Sequence, residues 1–290
     1  MRDISTEDYT IMTASGKFSI PRHVLWLCLV FAAIIPCDGA ARVNPVQAEA
    51  PADAGVYFVQ ITDTHFGSRG NVERTAKAVR MINALPMKIQ CVLHTGDITS
   101  ERLTDEPTVA SSLAVLKKLK APLHLVPGNH DLVRRNHAEA LAIYRKNYGK
   151  LLTEAQYAGV AFIGVYTEPL AKGFKVESFD PLKQLAGALK RAGNKPTIVF
   201  HHTPSVEDFY RNRMHRGWAP AVRKKWGDLV NAHNVKAVLA GHFHRDEHHW
   251  IGRVPLYVSA SISGSWGRQA SFRIYEYRNG RLSYRTQYIQ

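Results

Sequence analysis

Five times along this chain a run of aliphatic and β-branched residues stops in a carboxylate, an amide or an imidazole. The segments are VYFVQITDTH (56–65), CVLHTGD (91–97), LHLVPGNHD (123–131), TIVFHH (197–202) and VKAVLAGHFH (235–244). A short apolar run with no polar alternation reads as a strand covered on both faces, as parallel strands are. The segments between carry helical periodicity, so the chain reads as an α/β fold. Strands are expected at Val56–Ile61, Cys91–His94, Leu123–Val126, Val160–Tyr166, Thr197–Phe200 and Val235–Ala240, and helices at Thr75–Leu85, Thr108–Leu119, Ala138–Tyr148, Asp180–Ala192 and Ala219–Ala232. Beyond Trp250 no helix interrupts three further strand-like runs, the last two joined by an Asn279-Gly280 hairpin turn.

At 290 residues the chain can bury a substantial core. We expect one domain over 56–290, preceded by a linker at 49–55. Residues 1–48 read as a signal peptide running into the start of that linker: Lys17, Arg22 and His23 precede the apolar Val24–Ile35 and then small residues, with cleavage after Ala41 or Ala48. The apolar run is too short to span a bilayer comfortably. Export to a periplasm or beyond is therefore the expectation, an uncleaved N-terminal anchor the alternative. Two of the three cysteines, Cys28 and Cys37, lie in this leader, which leaves Cys91 without a disulfide partner. The net charge of +14 belongs to the remainder, since four basic and four acidic side chains cancel over residues 1–48. Such a balance favours anionic partners, but the basic residues are scattered and form no dense nucleic-acid stripe.

Ligands of open α/β sheets bind at the carboxyl ends of the strands. Convergence of these strand ends would bring together Asp63, His65, Asp97, Asn129, His201, His242 and His244. Glycines 96, 128 and 241 stand directly before Asp97, Asn129 and His242, as a sharp turn at a strand end requires. Carboxylate, amide oxygen and imidazole together suit Fe, Mn, Zn, Ni or Co, with too much nitrogen for a Mg or Ca cage. Seven such groups exceed what one ion needs and suffice for two, sharing a bridging carboxylate.

In this order, DTH, GD, GNHD, HH and GHFH resemble the five blocks of the calcineurin-like metallophosphoesterase superfamily, and the likeness runs from about Tyr57 to the end of the chain. Compact cyclic-nucleotide phosphodiesterases and glycerophosphodiesterases of that superfamily are similar in block order and size. The resemblance implies a four-layer α-β-β-α sandwich of two mixed sheets flanked by helices. It implies two divalent transition-metal ions, one held by Asp63, His65 and His244, the other by Asn129, His201 and His242, with Asp97 bridging. His202 then becomes a neighbour of the site. It implies in-line attack by a metal-bridging hydroxide, with His130 protonating the leaving group and Asp131 orienting His130. The expected partner is a small anionic phosphoester cleaved as a diester. A nuclease is the alternative, and a non-catalytic binding protein of the same fold stands third.

Other conspicuous residues read more plainly. His248 and His249 follow RDE without an apolar run and are expected at a solvated turn or edge. His94 and His124 read as strand residues and Trp218 and Trp226 as core. The basic segment Arg211–Trp218 could cover the site or be a solvated loop, and SISGSWGRQ (261–269) carries no assigned role.

Overall fold

A computed structural model of the chain describes residues 55–206 and 217–290. The expected leader and most of the basic segment at 211–218 lie outside them. Two mixed sheets are formed. The first, in the order β11-β10-β1-β2-β3, consists of β1 (Val56–Ile61), β2 (Ile89–His94), β3 (Leu123–Leu125), β10 (Ser271–Arg278) and β11 (Arg281–Tyr288). The second, in the order β4-β5-β6-β7-β9-β8, consists of β4 (Leu152–Tyr157), β5 (Val160–Val165), β6 (Thr197–Phe200), β7 (Val235–Ala240), β8 (Glu247–Ile251) and β9 (Val254–Val258). The central strands β1-β2-β3 and β5-β6-β7-β9 run parallel, and antiparallel strands close the edges.

Side-chain alternation along the parallel strands builds three apolar layers. Phe58, Cys91 and Leu93 of the first sheet meet Phe162, Ile198, Phe200 and Leu239 of the second. The opposite face of the first sheet, with Val59, Ile61 and Val92, packs on α1 (Asn71–Asn83), α2 (Glu106–Leu116) and α3 (His137–Asn147). That of the second, with Ile163, Val199 and Val238, packs on α5 (Pro181–Ala192) and α6 (Pro220–Asn231). The result is the four-layer sandwich. Because both faces of each central strand are covered, the strands read as unbroken apolar runs. Phe58 stacks on Tyr275 and meets Phe162 edge-on, each at 5.0 Å between ring centres.

Gln60 occupies an inward position that an apolar side chain would ordinarily take. It is fully buried and tied on three sides, donating to Thr95 Oγ1 (3.1 Å) and Ala240 O (2.9 Å) and accepting from the Tyr275 hydroxyl (2.9 Å). A buried amide with its partners made costs little and fixes the relative placement of the strands. Here it links the ends of β1, β2 and β7 directly beneath the loops that carry the polar residues.

Asp105 and Asp180 cap α2 and α5 by accepting from Thr108 N–H (3.0 Å) and from Leu182 and Lys183 N–H (2.9 and 3.1 Å). Four short elements escape the sequence patterns: β4 and β8, both polar-alternating edge strands, the 3-10 turn Arg134–Asn136, and the one-turn α4 (Glu168–Lys172). Asn279 and Gly280 both adopt left-handed φ, as a two-residue hairpin turn demands.

Candidate metal centre

The loops after β1, β2 and β7 are held in a strained backbone. Ten non-glycine residues among those described have positive φ, and five of them are Asp63 (52°), His65 (46°), Asp97 (54°), His242 (70°) and His244 (53°). Left-handed residues of this kind cost roughly 1–3 kcal/mol each and persist where the surroundings over-determine them. Asp63 N–H donates to Gly96 O and His65 N–H to Asp97 O, both at 3.0 Å, so the first two loops clamp each other. His242 N–H donates to Asp63 Oδ2 (3.0 Å), which also accepts from Thr62 Oγ1 (2.6 Å). Of the three glycines only Gly96 has a positive φ (100°). Gly128 and Gly241 act by close approach: a Cβ at Gly128 would overlap the Asp97 backbone and carboxylate, and one at Gly241 would overlap Thr62 and Asp63.

Two clusters able to hold a metal ion result among the described residues: Asp63, His65 and His244, and Asp97, His202 and His242. In the first, His244 Nε2 lies 3.1 Å and His65 Nε2 3.8 Å from Asp63 Oδ1, and the two imidazole nitrogens face each other at 3.2 Å. In the second, His202 Nε2 lies 3.1 Å from both Asp97 Oδ2 and Asn129 Oδ1, and the rings of His202 and His242 are 5.0 Å apart. Asp97 Oδ2 is also 3.7 Å from His65 Nε2, so one carboxylate oxygen faces both clusters.

The donor set fits divalent cations. Asp63 Oδ1 and Asp97 Oδ2 are buried and accept no hydrogen bond, although imidazole nitrogens surround them. Buried charged oxygens without donors are costly unless a cation or a proton neutralises them. His202 Nδ1 lies 2.8 Å from Thr95 O, a contact that requires the proton on Nδ1 and directs Nε2 toward Asp97. Burial opposes ionisation of both carboxylates, yet the neighbouring imidazoles hold Asp63 and Asp97 below the usual carboxylate range. Burial likewise opposes a charged His202, but Asp97 outweighs it and raises the imidazole to about 10.

His201 does not join them. Its ring is buried against the indoles of Trp218 (5.5 Å) and Trp226 (5.1 Å), and burial holds its pKa down to about 3. The reason is strand parity. Ile198 and Phe200 point between the sheets and Val199 toward the helices, so His201 continues the helix-facing set and His202 returns to the side where Asp97 and Asn129 lie. The second-cluster position expected at His201 is thus filled by His202.

Residues 56–246 match the model of the calcineurin-like phosphoesterase family. The chain belongs to that family. Relatives include the mouse "Serine/threonine-protein phosphatase CPPED1", 24% identical over 73% of this chain and 77% of its own length. A "Probable glycerophosphodiester phosphodiesterase GpdQ" of Arcobacter nitrofigilis is 27% identical over 71% of this chain and 78% of its own. A probable cyclic nucleotide phosphodiesterase of Rhodopseudomonas palustris is 26% identical over the same shares, 71% and 78%. Among solved structures, a dimetal phosphatase from Danio rerio superimposes with a TM-score of 0.57 at 14% identity, over 81% of this chain and 99% of that one. This calcineurin-like phosphoesterase is accordingly a phosphoric ester hydrolase.

His130 of the GNHD block lies beside Asp97 and His65 but belongs to neither cluster. Its side chain is 40% exposed, its Nε2 lies 4.0 Å from Asp97 Oδ2, and its ring meets His65 edge-on at 5.2 Å. The carboxylate beside its ring is that of Glu101, not that of Asp131. Glu101 Oε1 lies 3.3 Å from His130 Nδ1, Glu101 N–H donates to His130 O (3.0 Å), and Arg135 holds the other carboxylate oxygen at 2.8 Å. Asp131 is buried and points the other way, accepting from the N–H groups of Ile98 (3.0 Å), Thr99 (2.8 Å) and Gly128 (2.9 Å). It staples the GD loop to the GNHD loop; burial, then the Asp97 charge, raises its pKa to about 6. Glu101 lay beyond the quoted blocks, and the one sequence signal for it was a carboxylate four residues after Asp97.

Two further histidines serve as structure. His94 is buried, held neutral by burial at a pKa of about 3, and bonded to Thr64 Oγ1 (3.0 Å) and Gly96 N–H (3.2 Å). His124 contacts the Tyr157 hydroxyl at 2.8 Å. His248 and His249 lie on the edge strand β8, His249 paired with Glu247 at 2.6 Å.

Proposed function

We propose that this protein is a dinuclear phosphodiesterase acting on a small exported or periplasmic phosphoester, with Asp63, His65 and His244 holding one cation. Asn129, His202 and His242 hold the other, and Asp97 serves both. Held by these residues, two divalent ions would supply a hydroxide nucleophile near neutral pH and would offset the phosphate charge. Asp97 fixes the separation of the two ligand sets by presenting one oxygen to both. His130 supplies the leaving-group proton. Glu101 engages its Nδ1, which directs Nε2 toward the clusters. The observation that carries this reading is the pairing of two ligand clusters around one shared carboxylate with a half-exposed, carboxylate-held histidine beside them. The diester preference draws on the relatives that bear phosphodiesterase names.

The test is a substrate panel on the protein loaded with Mn, Zn, Fe, Ni or Co: an aryl phosphodiester, an aryl monoester, a cyclic nucleotide, a glycerophosphodiester and single-stranded DNA. Diester cleavage well above monoester cleavage is expected. Faster cleavage of the monoester would make it a phosphatase, and preferential cleavage of DNA a nuclease, which the charge of +14 favours.

A further inference from the structure

The loop joining β9 to β10, SISGSWGRQ at residues 261–269, is built onto the first ligand cluster, and Ser263 makes most of the attachment. Its N–H donates to Asp63 O (3.2 Å), next to Ile262 N–H, which donates to Thr62 O (3.0 Å). Its carbonyl accepts from Arg74 Nη1 of α1 (2.8 Å), which also donates to Asn71 Oδ1 (2.6 Å), and Asn71 Nδ2 in turn donates to His65 O (3.0 Å). Its hydroxyl oxygen lies 3.4 Å from His244 Nδ1. Ser263 therefore bonds two residues of the cluster directly, Asp63 and His244, and reaches the third, His65, through Arg74 and Asn71.

The hydroxyl contact bears on the direction of the imidazole. His244 turns Nε2 toward the cluster, 3.1 Å from Asp63 Oδ1 and 3.2 Å from His65 Nε2, so Nδ1 is the outward nitrogen. An imidazole that ligates through Nε2 is neutral and keeps its one proton on Nδ1. His244, Ser261 and Ser263 are all buried, and a buried donor without an acceptor is costly. Ser263 supplies the acceptor. Its hydroxyl donates to Ser261 Oγ (3.2 Å), which also accepts from Gly264 N–H (3.2 Å), and Ser265 Oγ lies 3.0 Å on another side. A hydroxyl has one proton and two lone pairs, so a Ser263 that donates to Ser261 presents a lone pair to His244.

We propose that Ser263 is a positioning residue for the first cation: its hydroxyl keeps the Nδ1–H tautomer of His244 and so presents the Nε2 lone pair to the ion. Its backbone ties that imidazole to Asp63 and, through Arg74 and Asn71, to His65. This rests on Asp63, His65 and His244 holding that ion. In the second cluster the corresponding acceptor is the Thr95 carbonyl, 2.8 Å from His202 Nδ1, so the two ions depend on different partners.

The experiment titrates zinc into metal-free wild type, Ser263→Ala, Ser263→Thr and His244→Ala against a competing chelator, which yields a dissociation constant for each ion. Ser263→Ala should weaken one ion by about 10- to 100-fold, the size typical of losing a partner of a ligating histidine, and leave the other unchanged. Ser263→Thr keeps the hydroxyl and should bind that ion more tightly than Ser263→Ala does. Long-range proton–nitrogen spectra of the zinc-loaded wild type should show His244 protonated at Nδ1 and bound to metal at Nε2, its signals identified by their loss in His244→Ala. That measurement requires no Ser263 variant to fold. Ligation through Nδ1 in the wild type, unchanged zinc affinity in Ser263→Ala, or threonine no better than alanine overturns the proposal. Equal weakening of both ions by Ser263→Ala also overturns it, since a loop that merely loses stability would release both. Should His244→Ala keep both ions at full affinity, the ligand assignment itself fails. An ion lost from His244→Ala but held unchanged by Ser263→Ala refutes the role of Ser263 alone.

Discussion

Exchanging the two adjacent histidines of the HH block separates packing from ligation. His201 is buried with its ring between two indoles 5.5 and 5.1 Å away, so His201→Phe keeps most of the volume and needs no polar partner. Swaps of conserved volume in a core cost less than about 1.5 kcal/mol. His201→Ala removes the ring and leaves a cavity, at a cost comparable to that of Phe→Ala, about 3–5 kcal/mol. For a domain of this size each kcal/mol lowers Tm by roughly 2–4 °C, so the alanine variant should melt roughly 6–20 °C below wild type and the phenylalanine variant within about 6 °C. Neither should alter the metal content. His202→Ala removes the nitrogen 3.1 Å from both Asp97 and Asn129. Loss of even an outer partner of a metal ligand typically weakens binding about 10- to 100-fold, so loss of this nitrogen should cost at least that. Metal-loaded protein dialysed against a weak chelator and measured by elemental analysis should retain about two ions in His201→Phe and about one in His202→Ala. Retention of both ions by His202→Ala together with loss of one by His201→Phe would refute the parity argument and return the ligand to His201.

Three further outcomes follow from the same geometry. Asp97→Ala should lose most of both ions in the same elemental analysis, because Oδ2 of this carboxylate lies 3.7 Å from His65 and 3.1 Å from His202; full loading would remove its bridging role. Glu101→Gln should retain metal yet slow an alkyl phosphodiester more than a nitrophenyl ester, by less than the 10²- to 10⁴-fold typical of losing a general acid outright as in His130→Ala; an unchanged alkyl-ester rate would reduce Glu101 to a prop for the loop. Gly241→Ala should destabilise the domain by about 1–3 kcal/mol in urea unfolding and weaken the first cluster, since its methyl group would collide with Thr62 and Asp63; wild-type stability would show that the loop yields at no cost.

Much of the fold is legible in apolar runs because each central strand is sealed on both sides. Val56–Ile61, Thr197–Phe200 and Val235–Ala240 begin and end where their composition changes. The edge strands β4 and β8 are not legible in the same way. LTEAQY and EHHWI each have a face in solvent and alternate polar residues, and their pairing with β5 and β9 is a long-range property.

By itself the sequence determined the order of strands and helices and the identity of the residues at the strand ends, because hydrophobic periodicity and strand-terminal glycines are local. From that alone Asp63, His65, Asp97, Asn129, His242 and His244 could be gathered at one edge. Tertiary structure decided which member of each adjacent pair faces that edge. At His201 and His202 the choice turns on the phase of side-chain alternation relative to a second sheet. At His130 and Asp131 it turns on a loop whose unpaired N–H groups capture the carboxylate of Asp131 and leave Glu101 to hold the imidazole. A motif specifies residue types and spacing, but the direction of a side chain depends on which backbone and which layer lie on either side of it, and those come from distant parts of the chain.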